Sequence, residues 1–217
     1  MTNAGDLSAG DTGRNELCAA LENRYNQFMA RMLSSSGVMQ DPAVMFPKLA
    51  ELIGYLDSID HRADLATLGR LLAKLDVSRC DIATTCIFGV KGYRRNCISK
   101  SEWYELVACC WHSGDRTPIH DHRGVSCAFK VVEGEGTEIR FAETPSGLIC
   151  PTMSVKMPTG YICAADDSDI HQVANMQAAG QDLITLHIYS PPIRKMHTYE
   201  WGAASTVEAG DCYETPC

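Results

Sequence analysis

The chain has 217 residues, 45% of them apolar and 21% charged, with a formal net charge of -8, which suits one soluble globular domain with room for a small appendage. The negative balance argues against nucleic acid or an anionic membrane as partner, because both call for a basic surface. No window approaches ~18 consecutive apolar residues, so no transmembrane helix is predicted.

In chain order, residues 1–13 read as a loose tail of Gly, Ser, Asp and Asn, without the basic start and apolar run of a secretory signal. Residues 14–78 carry helical periodicity. "NELCAALENRYNQFMARML" (15–33) places Leu17, Leu21, Tyr25, Phe28 and Met32 on one stripe. "DPAVMFPKLAELIGYLDSI" (41–59) repeats the period, with Asp41 as N-cap and Pro42 at the first helical position. "DHRADLATLGRLLAKLDV" (60–77) gives a third helix.

From residue 79 to 202 the pattern changes to short segments rich in Val, Ile, Thr, Tyr and Phe, separated by Gly, Pro, Asp and Ser turns. Strands are predicted over 103–111, 127–132, 137–142, 148–157, 161–164, 182–189 and 196–201, and "EGEG" (133–136) signals a hairpin loop. Such spacing without intervening helices means a β-sandwich or barrel. A helical N-terminal layer on an all-β body, one structural domain, is therefore expected, with 203–217 as a loose polar tail. Eleven cysteines are scattered without a CxxC pair. Most, including Cys97, Cys109, Cys110, Cys150 and Cys163, read as small buried thiols of a reducing cytoplasm.

The chemistry concentrates in "CWHSGDRTPIHDHRGVSCAFKVVEGEG" (110–136). Residues i and i+2 of a strand share a face ~6.6 Å apart, so His120 and His122 project into one interior while Asp121 points away. The frame around them, Gly114, the two histidines, Cys127 and Gly134, is similar to the first cupin motif, with cysteine where that motif has glutamate. Pro158-Thr159-Gly160 and His171 with Asn175 resemble the second motif across a longer gap. His171, on a distant turn in "DIHQVAN", is then a third ligand. Three histidines with open positions suit an iron(II) that binds substrate and oxygen; zinc accepts the same set, but no general base stands beside it for hydrolysis. His112 is a reserve ligand, and His61 and His197 read as structural or exposed. Cys127 lies an odd number of residues after His122, so a regular strand turns it outward; an irregularity at Gly124 restores it, with Phe129 and Val131 facing in and Lys130 out.

Four motifs in order, "GYRRN", "CW..G..TPIHDH", "DIHQVAN" and "TLHIYSPP", resemble the cysteine dioxygenases, a thiol dioxygenase branch of the cupins. The resemblance covers about half the chain, from Gly92 to Pro192. It implies a mainly β cupin, a jelly-roll-like barrel under N-terminal helices, with Fe(II) on His120, His122 and His171. It further implies a substrate carboxylate on Arg95 with Tyr93 nearby, an active-site Tyr189 supported by His187 and Thr185, and Cys127 as candidate thioether partner of Tyr189. A cis Ser190–Pro191 bond is implied as well. The residues themselves support these roles. Thr185, His187 and Tyr189 share one face of a strand, a hydroxyl–imidazole–phenol row, while Ile184, Leu186 and Ile188 form the opposite apolar face. Arg95 offers the planar fork that grips a carboxylate, with Arg94 or Arg95 left to face solvent.

The implied reaction adds both atoms of O2 to the sulfur of L-cysteine, giving cysteine sulfinic acid. Three neutral ligands leave the metal's charge for the incoming thiolate. A monomer with small-molecule partners and a cytoplasmic location is expected. A 3-mercaptopropionate dioxygenase and a non-catalytic metal- or ligand-binding cupin are the alternatives; Arg95 favours cysteine over the former, and the Thr185–His187–Tyr189 row argues against the latter.

Overall fold

The computed structural model describes residues 41–122, 124–165, 170–194, 196–202 and 206–209; the N-terminal tail and the helix expected over 15–33 lie outside them. Helix α1 (Pro42–Met45) starts where the Asp41 carboxylate accepts a bond from the Ala43 amide at 2.9 Å. The second expected helix is not continuous. Pro47 lacks the N–H that would carry the ladder on, so a short 3-10 turn over Pro47–Leu49 leads into α2 (Ala50–Ser58). Asp64 caps α3 (Leu65–Lys74) through the Thr67 amide at 2.8 Å.

Eleven strands follow among the described residues: β1 (Arg94–Lys100), β2 (Glu105–Trp111), β3 (Ile119–His120), β4 (Ser126–Glu133), β5 (Glu135–Glu143), β6 (Ile149–Pro158), β7 (Ile162–Ala165), β8 (Ile170–Ala174), β9 (Leu183–Ser190), β10 (Met196–Tyr199) and β11 (Thr206–Ala209). They form one sheet in the order β1-β2-β9-β4-β7 and another in the order β11-β10-β3-β8-β5-β6. This is the mainly β body expected, and the seven predicted strands fall on β2, β4, β5, β6, β7, β9 and β10. Four strands carry no comparable signal in the sequence. β1 begins on two arginines, β3 is two residues long, and β8 mixes His and Gln with apolar residues; pairing rather than propensity makes them strands. β11 lies in the segment expected to be loose, yet its backbone pairs with β10, Met196 opposite Ala209.

The central strands of the first sheet, β2, β9 and β4, are buried on both faces. Leu106, Ala108 and Cys110 of β2, Ala128 of β4, and Ile184, Leu186 and Ile188 of β9 pack against Leu52, Ile53, Leu56, Leu68 and Leu72 of the helical layer. The alternate residues Val107, Cys109, Trp111, Cys127, Phe129, Val131 and Tyr189 turn into the body. Each buried leucine of the helical layer contributes about 1.5–3 kcal/mol, which fixes the register that aims the inward set. Lys130 does face away from the interior, but under the helices rather than into water: its ammonium donates to the Leu72 carbonyl at 3.0 Å and to that of Leu75, at the negative end of α3.

Gly134, in the β4–β5 hairpin, has φ +83 and a Cβ there would meet the Asp182 carbonyl oxygen at 2.3 Å, so the "EGEG" loop needs glycine at that position. The Ser190–Pro191 bond is cis, as expected. Cys86, Cys109, Cys110, Cys127, Cys150 and Cys163 are free thiols, whereas Cys80 and Cys97 are disulfide-bonded. That corrects the expectation for Cys97: apolar neighbours in sequence do not reveal the Cβ geometry that permits a bridge. No helix among the described residues is long and apolar enough to cross a membrane.

Candidate metal centre

His120 closes β3, His122 follows after Asp121, and His171 stands on β8 directly opposite His120. His171 is therefore a strand residue, and only one of the HxH pair lies in a strand; antiparallel pairing, not a turn, brings the third imidazole in. The ligand nitrogens of the three lie within 4.8 Å of one another. Asp121 points away and is buried, accepting from His197 Nδ1 at 3.1 Å and the Tyr199 hydroxyl at 2.7 Å. These bonds pin the segment between the two histidines to β10. His197 is structural, as expected. His112 is not a ligand: it is exposed, stacks on Phe88 with ring centroids 4.7 Å apart, and lies 3.1 Å from an Asp182 oxygen.

Burial, reinforced by neighbouring imidazoles, pulls the His120 pKa down to about 3 and holds His122 well below its usual value, so both are neutral near pH 7. His120 Nδ1 is 2.9 Å from the Pro118 carbonyl oxygen. That oxygen only accepts, so Nδ1 carries the proton and Nε2 turns a lone pair inward. His171 Nδ1 donates in the same way to Glu138 Oε1 at 2.9 Å, and His171 Nε2 is buried without a hydrogen-bond partner among the described residues. His120 Nε2 and His122 Nε2 stand 3.1 Å apart. Buried ring nitrogens converging on one point, that of His171 without a hydrogen-bond partner among the described residues, suit a divalent cation. The residues fit a metal held by three Nε2 atoms.

Glu138 on β5 is a site residue that the sequence does not announce. Its second oxygen accepts from Arg140 Nε at 3.0 Å. Burial alone would raise its pKa, but the bonds to His171 and Arg140 hold it below the usual range. The three-histidine set thus has a carboxylate one hydrogen bond behind it, the arrangement that orients a ligating histidine and strengthens it as a donor.

The three histidines share a cavity with Tyr93, Arg95, Trp111, Cys127, His187 and Tyr189, and its free space is about 20 Å³, room for one or two water molecules. Arg94 is exposed while Arg95 enters this cavity. Arg95 Nη2 donates to Glu105 Oε2 at 2.7 Å, and its Cζ lies 5.0 Å from the centroid of the Tyr189 ring, a cation–π contact. Glu105 is equally silent in the sequence: the β1–β2 register sets Cys109 opposite Arg95 and Lys100 opposite Glu105, and the ion pair crosses the hairpin diagonally. Tyr93 stacks on Trp111, centroids 4.1 Å apart and 12° from parallel.

The row expected on β9 is present and one residue longer. Trp111 Nε1 donates to Thr185 Oγ1 at 3.0 Å; Thr185 Oγ1 lies 2.9 Å from His187 Nε2; His187 Nδ1 lies 3.1 Å from the Tyr189 hydroxyl. Burial, then the charge of Arg95, lowers the His187 pKa to about 3. Burial raises the Tyr189 phenol well above its usual value. Cys127 is directly opposite Tyr189 across the β4–β9 pair, its thiol also raised by burial. Gly124, at φ +82, supplies the bend that turns Cys127 inward.

Residues 39–201 match the family described as cysteine dioxygenase type I. The chain is 23% identical over 169 residues to the human protein called cysteine dioxygenase type 1, a match covering 75% of this chain and 84% of the relative. It is 27% identical over 113 residues to the zebrafish (Danio rerio) protein of the same name, covering 50% of this chain and 56% of that one. Among solved structures it is similar to TT1209 from Thermus thermophilus, with a TM-score of 0.42, 17% identity, and 51% of this chain and 93% of the other covered. A Klebsiella pneumoniae protein with a double-stranded β-helix domain gives a TM-score of 0.41, 15% identity, and coverage of 60% and 95%.

Proposed function

The chain belongs to the cysteine dioxygenase type I family, and we propose that it is an iron(II)-dependent thiol dioxygenase acting on L-cysteine. The reaction is RSH + O2 → RSO2H, with both oxygen atoms added to sulfur. The observation that carries this reading is the enclosure of a buried three-imidazole face with Arg95 and Tyr189 in one cavity. His120, His122 and His171 would hold the metal, which when bound supplies the place where thiolate and oxygen meet and exchange electrons.

The chain's own residues do the positioning. Arg95, fixed from one side by Glu105, shares its guanidinium with the substrate carboxylate. Tyr93 keeps the Trp111 plane in place beside it. Tyr189 presents its hydroxyl to the bound reactants, and His187 and Thr185 hold that hydroxyl from behind. The small free volume means that substrate displaces the waters it meets, and Ile193 and Met196 at the cavity wall keep the reacting sulfur dry. Cys127, opposite Tyr189, is placed for a thioether bond to the tyrosine ring; joining them removes two hydrogens, which O2 can accept.

Assaying L-cysteine and 3-mercaptopropionate on the wild type and on Arg95→Ala tests the assignment. Cysteine should be the better substrate by kcat/KM, and Arg95→Ala should raise its KM about tenfold or more with a smaller loss of kcat. A preference for mercaptopropionate, or an unchanged KM, would count against cysteine. A non-catalytic cupin would bind iron without consuming oxygen.

A further inference from the structure

Of the four groups in the β9 row, Trp111 is the one whose polarity leaves no choice, since an indole N–H only donates. Its Nε1 gives its hydrogen to Thr185 Oγ1 at 3.0 Å. Thr185 is fully buried, and the other partner its hydroxyl has among the described residues is His187 Nε2 at 2.9 Å. A buried hydroxyl that kept its proton from an acceptor would forfeit a hydrogen bond, so Thr185 donates to His187 Nε2, which must be unprotonated. Neutral His187 then carries its proton on Nδ1 and donates it to the Tyr189 oxygen at 3.1 Å. The phenolic hydrogen of Tyr189 is left to point into the cavity that the three metal-binding histidines line.

We propose that Trp111 is a positioning residue that sets the direction of this row, so that Tyr189 meets the reacting groups as a hydrogen-bond donor. The indole is suited to act as a fixed origin: it is 1% exposed and its plane is held by the stacked Tyr93 ring, 4.1 Å away at 12°. With the opposite polarity, His187 Nε2 would donate to Thr185, Nδ1 would accept from the phenol, and Tyr189 could offer the cavity a lone pair only. A donor suits the incoming thiolate and reduced oxygen, both anionic; an acceptor would repel them. The consequence for turnover rests on the thiol dioxygenase reading, but the direction of the row does not.

The test reads the histidine tautomer rather than activity. The full chain, labelled with 15N-histidine and treated with a chelator, is examined by nitrogen–carbon-bound-proton correlation NMR at pH 7.5, with His187 assigned by its disappearance in His187→Gln. Wild type should show His187 protonated on Nδ1. In Trp111→Phe the threonine oxygen is left without a donor when it gives its hydrogen to Nε2, so accepting from Nε2–H leaves no more groups unpaired than donating does, and the Nδ1–H preference should fall about tenfold, the weight of one ordinary hydrogen bond. Thr185→Val, which removes the hydroxyl donor, should erase the preference, and Thr185→Ser should keep it; this pair decides the matter if Trp111→Phe does not fold. An Nε2–H tautomer in wild type, or an unmoved tautomer in Trp111→Phe or Thr185→Val, overturns the proposal. Because no substrate or iron enters the measurement, it can fail while the thiol oxidation stands, and the reverse.

Discussion

Replacing Glu138 by Gln keeps the size of the side chain behind His171 but removes its charge. The carboxylate oxygen 2.9 Å from His171 Nδ1 fixes the tautomer that leaves Nε2 bare, and its negative charge makes that nitrogen a better donor to a cation. Glu138→Gln should therefore weaken metal retention about 10–100-fold, measured as the concentration of chelator that strips iron(II) or zinc(II) from the folded chain. Equal retention would mean that the Glu138–His171 bond serves packing alone. No residue-scale signal marks Glu138 in advance. It is one acidic residue in "TEIR" (137–140), and its role appears only when β5 pairs with β8 and sets Arg140 opposite His171.

At the scale of elements, β9 shows what period two can and cannot convey. All eight of its residues are buried, Ile184, Leu186 and Ile188 under the helices and Thr185, His187 and Tyr189 on the cavity side. The division of faces was legible from the sequence because alternation is a property of any strand. The identity of what covers each face was not. Trp111 and Cys127 reach Thr185 and Tyr189 only through the registers of β2 and β4 on either side. A strand buried on both faces has no solvated side for an imidazolium, and this carries a pH signature. His187 has a folded pKa of about 3 against an ordinary 6.5, so between those values the unfolded chain binds a proton that the folded chain refuses. Stability from this group is complete above pH 6.5 and is lost as pH falls, by about 1.4 kcal/mol per pH unit. Urea unfolding of the wild type and His187→Gln across pH 6.5 to 4.5 should show the steeper decline in the wild type. Parallel declines would mean that His187 titrates normally in the fold.

For the whole molecule, the change from helical to strand periodicity near residue 79 foretold a helical layer on a β body, because burial of one stripe or one face leaves a period in the sequence. The HxH pair and its glycine frame located the metal face for the same local reason. What the sequence did not carry were contacts between strands, whether distant in the chain, as His171 facing His120, or neighbouring, as Glu105 of β2 holding Arg95 of β1 and β11 closing on β10. Each depends on pairing between segments that share no local pattern. The proposed thiol oxidation depends on those contacts assembling one centre that joins oxygen to a thiol. The most direct measurement is the mass of the product formed when the iron-loaded chain, purified anaerobically, is given L-cysteine and oxygen-18 gas. Cysteine sulfinic acid bearing two labelled oxygens, with the activity abolished in His171→Ala, is the predicted result. Cystine as the only product, a sulfinate with a single labelled oxygen, or an undiminished rate in His171→Ala would contradict it.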